Sequence, residues 1–423
     1  MAKRVFRSFA YCVGHLKKRD CGILTRVLAS KLSCFIQLIP TMLHNTSSFA
    51  AASICNPLRV MTSLQLTGTT LCMATLATTF CCVALAYVVS TATAKPETHP
   101  SLRELEFAEG SRLARLKAHA QELYPIELYG PGHSIRLTKG RVQYWLIGPE
   151  EGTKVVLIHG LTTPSLVWKY VTEDLAYAGF RLLIYDLYGR GYSEGPDAKF
   201  TPYDTDLYVT QLALLMQAIG WRKARLVGMS MGGGIATAFA AKLPWLVDFN
   251  IVLIGSAGIM EEVKVGLATS TLSSVLVRRL RHSAIGKFLF TLGPPPAVSS
   301  TLAYAEQERK KLKSFFKLQS ALLPGYNSAL VSSVYFGPVT GLEREFKHLG
   351  EMKNMKVQLV WGTKDKIVPF KYVGKIKALI PYADLMIVEN AGHVSDLFIN
   401  HTDLVTKGLI EFLHSQPNVK LVT

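Results

Sequence analysis

Apolar positions divide the chain into an amino-terminal part with one long apolar run and a longer part with short, alternating runs. No charged residue occurs between Arg59 and Lys95. The core of this stretch, 71–89, is long enough at about 1.5 Å per residue to cross a hydrocarbon layer of about 30 Å. Too much chain precedes it for a cleaved signal peptide, and buried core helices are usually shorter and carry polar edges. We therefore predict a transmembrane helix over residues 69–94.

From about residue 131, apolar runs that suit buried strands alternate with stretches of helical periodicity. The predicted strands cover 135–137, 142–147, 154–159, 181–186, 224–229, 249–254, 357–361 and 385–389, and the helices between them cover 167–178, 204–219 and 233–243. Such alternation predicts an α/β fold with right-handed crossovers and a doubly wound, mostly parallel sheet. In such sheets ligands bind at the carboxyl ends of the strands.

About 100 residues separate the strand that ends near Gly255 from the next one near Val357, which is too many for one crossover. Helical patterns over 263–280 and 303–322 therefore predict an inserted cap. A capping-box pattern at Ser101 and Glu104 predicts an amphipathic helix from there to Leu123. The predicted parts are a basic segment (1–68), the transmembrane helix (69–94), a linker with an amphipathic helix (95–130), the first part of the core (131–259), the helical cap (260–350) and the second part of the core (351–423).

The formal net charge of +17 is concentrated near the amino terminus, where residues 1–95 carry ten Lys or Arg and one acid. No nucleic-acid module accompanies this charge, so the expected partner is a lipid bilayer and not a nucleic acid. The basic flank favours a cytosolic amino terminus and a single-pass protein of the endomembranes or plasma membrane. Two alternatives stay open: the uncharged stretch 32–57 as a second span, and a mitochondrial presequence that leads to the inner membrane. The oligomeric state is left open.

All seven cysteines precede residue 83, so the remaining chain has no disulfide framework, thiol nucleophile or cysteine zinc site. No metal or nucleotide cofactor is expected, since the glycines at 232–234 close a turn and form no phosphate loop. The cap carries a basic run with interleaved apolar residues: Arg309, Lys310, Lys311, Leu312, Lys313, Phe315, Phe316 and Lys317. This run is either a solvated helix face or a surface for anionic lipid. Asn400-His401-Thr402 is a glycosylation sequon.

Ser230 is the candidate nucleophile. It lies in Gly228-Met229-Ser230-Met231-Gly232, between an apolar run and a helix of small residues. A serine on such a strand-to-helix turn is strained and exposed, and the flanking glycines prevent clashes with the neighbouring elements. The negative charge that forms on an attacked carbonyl needs two N–H donors. We expect these from the backbone of Met231 and of Leu161, which follows His159-Gly160; His159 itself is interpreted as shaping that loop.

A serine hydroxyl needs a base, and the base needs an acid that fixes its tautomer. Of eleven histidines, His393 is the best placed, in the loop after the last predicted strand, whereas His348, His401 and His414 lie on or near predicted helices. Asp365 directly follows a buried strand and is the favoured acid. Asp186 is the alternative acid, but it precedes the serine and its Gly-Arg-Gly turn suggests a structural loop.

The stretches His159-Gly160, 186–193, 228–233, 361–365 and Gly392-His393 resemble the motif set of the α/β-hydrolase superfamily, over about residues 130–415. The resemblance implies Ser230 as nucleophile, Asp365 as acid, His393 as base and a cap that shapes substrate choice. Epoxide hydrolases and haloalkane dehalogenases of this fold use an aspartate nucleophile, so the serine argues against both. The anchor, the apolar cap and the Gly-Met-Ser-Met-Gly turn are similar to monoacylglycerol-lipase-like members.

These features predict a membrane-anchored serine hydrolase that cleaves small apolar esters, lipid esters among them, through an acyl-enzyme. The same residues also suit a thioester, a carbon–carbon bond next to a carbonyl, or acyl transfer, because specificity lies in the cap. A catalytically silent binding protein of the same fold would need a broken triad, and no expected member is missing from the sequence.

Overall fold

The computed structural model describes residues 98–261 and 303–416. The predicted transmembrane helix (69–94), the possible second span (32–57) and the first cap helix (263–280) lie outside these residues. Within the two described ranges, no helix is both long and apolar enough to cross a membrane. The boundaries predicted for the six parts of the chain stay predictions.

An eight-stranded sheet forms the centre of the fold. Its strands are β1 (His133–Leu137), β2 (Gly140–Ile147), β3 (Thr153–Ile158), β4 (Phe180–Tyr185), β5 (Ala224–Met229), β6 (Val247–Ile254), β7 (Lys356–Gly362) and β8 (Asp384–Val388). Their order across the sheet is β8-β7-β6-β5-β3-β4-β2-β1. Strand β2 is antiparallel to both β1 and β4, and all other neighbours are parallel. The predicted doubly wound, mostly parallel sheet is confirmed.

Helices cover both faces of the sheet. They are α1 (Arg112–Leu123), α2 (Thr172–Tyr177), α3 (Thr205–Ala218), α4 (Met231–Lys242), α5 (Ala303–Leu322), α6 (Tyr326–Phe336), α7 (Glu343–Glu351), α8 (Lys371–Leu379), α9 (Val394–Asn400) and α10 (Thr402–His414), with short 3₁₀ helices at Ser165–Tyr170 and Pro244–Leu246. The insertion between β6 and β7 contributes α5, α6 and α7. Its described part therefore contains three helices, in agreement with a helical insertion.

The central strand β3 shows why the apolar runs are continuous. Val155 and Leu157 pack into the core on one face of the sheet, and Val156 and Ile158 pack into the core on the other. All four side chains are fully buried. In a strand that is covered on both faces, successive side chains point into one buried face and then the other. Odd-numbered and even-numbered positions are therefore both apolar.

The helix predicted from Ser101 is wrong in its first half. Glu104 does accept hydrogen bonds from the Ser101 N–H, at 2.9 Å, and from the Ser101 hydroxyl. These bonds close a turn, however, and α1 begins only at Arg112, where the Ser111 hydroxyl accepts from the Ala114 N–H at 3.1 Å. Gly110, at φ +69°, sets the boundary, because a residue in this left-handed conformation cannot continue a right-handed helix.

The helix predicted over 167–178 is divided into the 3₁₀ helix Ser165–Tyr170 and helix α2. Val171 separates the two with φ −123°, outside the helical range. The division buries Val167 and Trp168 on one side of the break and Leu175 on the other. Tertiary packing therefore overrides the helical periodicity in this segment.

The basic run of the insertion lies on α5; its two interpretations, a solvated face and a surface for anionic lipid, stay predictions. Leu312 and Phe315 are buried in the core under α5. The Phe315 ring packs edge to face on the ring of Tyr124, with 5.4 Å between the ring centroids. The Lys310 side chain is 73% exposed. Two of the three apolar residues of the run therefore point into the core.

The sequon lies at the junction of α9 and α10. The side-chain nitrogen of Asn400, the atom to which a glycan would be attached, donates a hydrogen bond to Asp396, and the residue is half-buried. Attachment of a glycan would replace one of the two hydrogens on this nitrogen.

Candidate active site

Ser230 occupies the turn between β5 and α4 in a strained conformation. Its φ is +53° and its ψ is −123°, in a region that non-glycine residues rarely adopt. The surrounding backbone holds it there: the Ser230 N–H donates to the Ile254 carbonyl at 2.9 Å, and its own carbonyl accepts from Gly233 and Ala257. Strain of this kind persists where the surroundings fix it, and it is frequent at reactive residues.

The glycines around Ser230 are required by close backbone approach. A Cβ atom at Gly228 would overlap the carbonyl oxygen of Gly232, and one at Gly232 would overlap the carbonyl oxygen of Ile158. At Gly160 a Cβ atom would lie 3.2 Å from the Cβ of Ser230. The sharp turn therefore fits tightly between β3 and α4 only because these positions carry no side chain.

His393 and Asp365 meet at the same edge of the sheet. His393 follows β8 and precedes α9, and its Nδ1 lies 2.6 Å from Oδ2 of Asp365, which follows β7. The other carboxylate oxygen of Asp365 accepts from the N–H groups of Ile367 and Val368 at 2.8 and 2.9 Å. The Asp365 side chain is fully buried, whereas that of His393 is 18% exposed. A carboxylate held in this way keeps the proton on Nδ1 and leaves Nε2 free to act as a base.

Gly255 lies close to His393 and directly follows a hydrogen-bond partner of Ser230. It follows Ile254, whose carbonyl accepts the Ser230 N–H, and a Cβ atom on it would lie 3.2 Å from Cε1 of His393. Within the described residues no hydrogen bond joins the Ser230 hydroxyl to the imidazole. Such bonds are often long in structures without substrate.

The alternative acid, Asp186, lies in a different network. Its buried carboxylate accepts from the N–H of Ser165 at 2.9 Å, the N–H of Tyr192 at 2.8 Å and the hydroxyl of Tyr124 at 3.1 Å. Burial raises its pKa to about 6, against the lowering effect of these hydrogen bonds. Asp186 thus orders the loop around it, and the carboxylate next to His393 is that of Asp365. His414, another late histidine, lies at the surface with Nε2 3.1 Å from the Ala178 carbonyl.

His159 is a structural residue of the loop 159–162. Its ring is fully buried; Nε2 accepts from the Leu187 N–H at 2.8 Å, so Nδ1 carries the proton and donates to the Gly160 carbonyl at 2.8 Å. Burial, and then the charge of Arg190, lower its pKa from 6.5 to about 3. A protonated ring would have no lone pair to accept the Leu187 N–H, so the loop requires neutral His159.

This shift predicts a loss of stability in acid. The folded-state pKa lies below the unfolded one, so the contribution of His159 is fully present above pH 6.5 and is lost as the pH falls toward 3. Relative to His159→Asn, which does not titrate, the wild-type free energy of unfolding should fall by about 3 kcal/mol between pH 7 and pH 4. Urea unfolding of both proteins across this range measures the difference. Parallel pH curves would contradict the assignment.

The two predicted N–H donors are the backbone N–H groups of Leu161 and Met231. Neither the Leu161 N–H nor the Met231 N–H has a hydrogen-bond acceptor among the residues that the structure describes. Met231 is 1% exposed and begins α4, whose dipole places partial positive charge at this end. Buried backbone N–H groups are nearly always paired, so this one is available for an acceptor that a substrate brings.

Asp396 holds the His393 loop, a role that sequence reasoning missed. Asp396, in the first turn of α9, accepts the Gly392 N–H at 2.6 Å and lies 3.3 Å from an Arg309 nitrogen of α5. An acid three residues after a candidate base is a weak signal for such a contact. The residue that pairs with it is 87 positions away in the sequence, within the run interpreted as a surface. In the described ranges, no cluster of three or more His, Cys, Asp or Glu side chains could hold a metal ion.

Comparisons with known proteins agree with this architecture. The profile of the family described as alpha/beta hydrolase fold matches residues 153–398, more than half of the chain. Lipase 1 of Psychrobacter immobilis is 30% identical over 266 residues, which cover 62% of this chain and 78% of that protein. An uncharacterised protein of Mycobacterium tuberculosis is 28% identical over 258 residues, which cover 57% of this chain and 70% of that protein.

A solved structure has the same fold. The crystal structure of a hydrolase from Pseudomonas aeruginosa matches with a TM-score of 0.52 and 19% identity, over 68% of this chain and 99% of that one. At this identity the match concerns the fold alone. The family match covers the strands and loops that carry Ser230, Asp365 and His393. The chain belongs to the α/β-hydrolase family.

Proposed function

We propose that this chain is a serine ester hydrolase in which Ser230 is the nucleophile, His393 the base and Asp365 the acid. The observation that carries the proposal is the 2.6 Å contact between His393 and Asp365 at the sheet edge where Ser230 is held at φ +53°. The lipase name of the Psychrobacter relative supports ester hydrolysis as the reaction.

The proposed reaction proceeds in two steps. The Ser230 hydroxyl attacks the ester carbonyl while Nε2 of His393 removes its proton, and Asp365 stabilises the resulting imidazolium. The Leu161 and Met231 N–H groups stabilise the negatively charged oxygen of the tetrahedral intermediate. The imidazolium then gives its proton to the leaving alcohol, which leaves an acyl-Ser230 ester. Water, activated by the same histidine, hydrolyses this ester.

The proposed substrates are small apolar esters, lipid esters among them. The predicted transmembrane helix at 69–94 supports this choice, because it would hold the enzyme beside lipid substrates. We propose a single-pass membrane protein of the endomembranes or plasma membrane, with the bilayer as its partner. Carbonate extraction of membranes tests the anchor: the full chain should remain with the membranes, and a chain lacking 69–94 should be released. Release of the full chain would contradict it.

Turnover of matched substrates tests the reaction class. With p-nitrophenyl esters of increasing acyl length, we expect kcat/KM to rise from acetate to the medium-chain esters by about tenfold or more, since each buried methylene contributes roughly 0.8 kcal/mol. Thioesters of the same acyl chains should be poorer substrates. Faster thioester cleavage would favour the thioesterase alternative. Absence of turnover of any ester by folded protein would favour the binding-protein alternative.

A further inference from the structure

The loop 159–162 is held by side chains that bind its carbonyl groups. The Leu161 carbonyl accepts from Nε of Arg190 at 3.1 Å, in addition to the bond from His159 to the Gly160 carbonyl. In a planar trans peptide the carbonyl and the following N–H point in opposite directions. The bond from His159 to the Gly160 carbonyl therefore fixes the direction of the Leu161 N–H, the proposed donor to the reacting oxygen. The bond from Arg190 to the Leu161 carbonyl holds the next peptide plane, so that the backbone of Leu161 is restrained on both sides.

The next carbonyl of the loop is bound by the insertion. The Thr162 carbonyl accepts two hydrogen bonds, from Nε2 of Gln319 at 3.0 Å and from the Tyr326 hydroxyl at 2.8 Å. Gln319 lies on α5 and Tyr326 begins α6, and both are buried. The side-chain oxygen of Gln319 also accepts the Gly191 N–H at 2.9 Å, so the amide is fixed at both ends.

Arg190 is connected to the insertion as well. Its fully buried guanidinium donates to the Tyr188 carbonyl at 3.0 Å and to the Ser333 hydroxyl of α6 at 2.9 Å. In the described ranges no carboxylate pairs with it. A buried cation without an acid is costly unless it is well hydrogen-bonded, and here two carbonyls and a hydroxyl provide those bonds. Its positive charge therefore remains beside the loop whose N–H is to stabilise a negative charge.

We propose that the insertion completes the oxyanion site: Arg190, Gln319 and Tyr326 are positioning residues that hold the Leu161 N–H toward the reacting oxygen. The inference rests on the proposed function. It assigns to α5 and α6 a part in transition-state stabilisation, besides the role in substrate choice expected of a cap. Loosening these contacts should slow the chemical step more than it weakens substrate binding, because the donor acts on charge that develops only in the transition state.

Removal of one hydroxyl group tests the inference. In the full-length enzyme, Tyr326→Phe deletes the bond to the Thr162 carbonyl and the 3.4 Å bond that the hydroxyl accepts from Nε2 of Gln319. We expect kcat to fall about tenfold with KM within about twofold, since small misplacements of a catalytic group have effects up to about 10². A trifluoromethyl ketone, which forms a charged tetrahedral adduct with the serine, should lose affinity by the same factor. The double variant Tyr326→Phe/Gln319→Met should lose about 100-fold in kcat.

The matched control is Tyr192→Phe. Tyr192 is also buried, and its hydroxyl also donates to a backbone carbonyl, that of Tyr124, but not in the loop 159–162. We expect Tyr192→Phe to change kcat and the affinity for the trifluoromethyl ketone by less than about twofold. This control distinguishes the loss of a bond that positions the Leu161 N–H from the loss of any buried hydrogen bond. Equal effects of Tyr326→Phe and Tyr192→Phe would overturn the inference, as would wild-type kcat in the double variant. A wild-type enzyme that neither cleaves esters nor binds the ketone would instead overturn the proposed function.

Discussion

Replacement of Ser230 by alanine is expected to abolish ester turnover, with a fall in kcat on the order of 10⁵ to 10⁶. Without the hydroxyl no acyl-enzyme forms, and the N–H groups of Leu161 and Met231 stabilise attack by water only weakly. Initial rates with a p-nitrophenyl ester measure the effect. Circular dichroism should show an unchanged fold, because alanine removes one atom from a turn that the backbone bonds to Ile254, Gly233 and Ala257 hold.

Ser256→Ala is the matched control for this variant. Ser256 is buried close to the same turn, but its hydroxyl donates to the carbonyl of Ala257. Its loss should therefore leave kcat within a few-fold of the wild-type value. Wild-type turnover by the Ser230 variant would contradict the nucleophile assignment.

Asp365→Asn is expected to lower kcat by roughly 10⁴ with little change in fold. The carboxylate receives the Nδ1–H of His393 at 2.6 Å. An amide there can present its own N–H to Nδ1, which moves the imidazole proton to Nε2 and removes the lone pair that should accept the serine proton. The pH–rate profile and kcat of the purified variant measure the effect.

A comparison with Asp186→Asn shows which of the two candidate acids, Asp365 or Asp186, acts with His393. Asp186 accepts hydrogen bonds from Tyr124, Ser165 and Tyr192, and none from His393. Its amide variant should lower the thermal midpoint but lose far less than 10⁴ in kcat. A larger kcat loss for Asp186→Asn than for Asp365→Asn would reverse the assignment of the acid.

The sheet and the turn at Ser230 were predictable because their signals are local. Strands such as β3 are buried on both faces and therefore read as continuous apolar runs, and the glycines at 228 and 232 are fixed by close backbone approach. The pairing of His393 with Asp365 was predictable from their places after neighbouring strands, since parallel strands bring such loops to one edge.

Contacts between distant segments were not predictable. Gln319 and Tyr326 bind a carbonyl that lies 157 and 164 positions earlier in the chain, and no periodicity or spacing marks such partners. The charges of the run on α5 predict a surface, whereas in the structure Arg309 pairs with Asp396 and Phe315 is buried in the core. The position of Gly110, and not the capping-box pattern at Ser101, decided where α1 begins.

Labelling with a fluorophosphonate tests the central claim, an activated Ser230, most directly. The reagent reacts with a serine hydroxyl only when a neighbouring base takes its proton and N–H donors stabilise the charged adduct. Membranes that contain the full chain should be labelled, and peptide mass spectrometry should locate the adduct on Ser230. The label should be absent from Ser230→Ala and present on Ser256→Ala. An adduct on another residue, or no adduct on folded wild-type protein, would contradict the account.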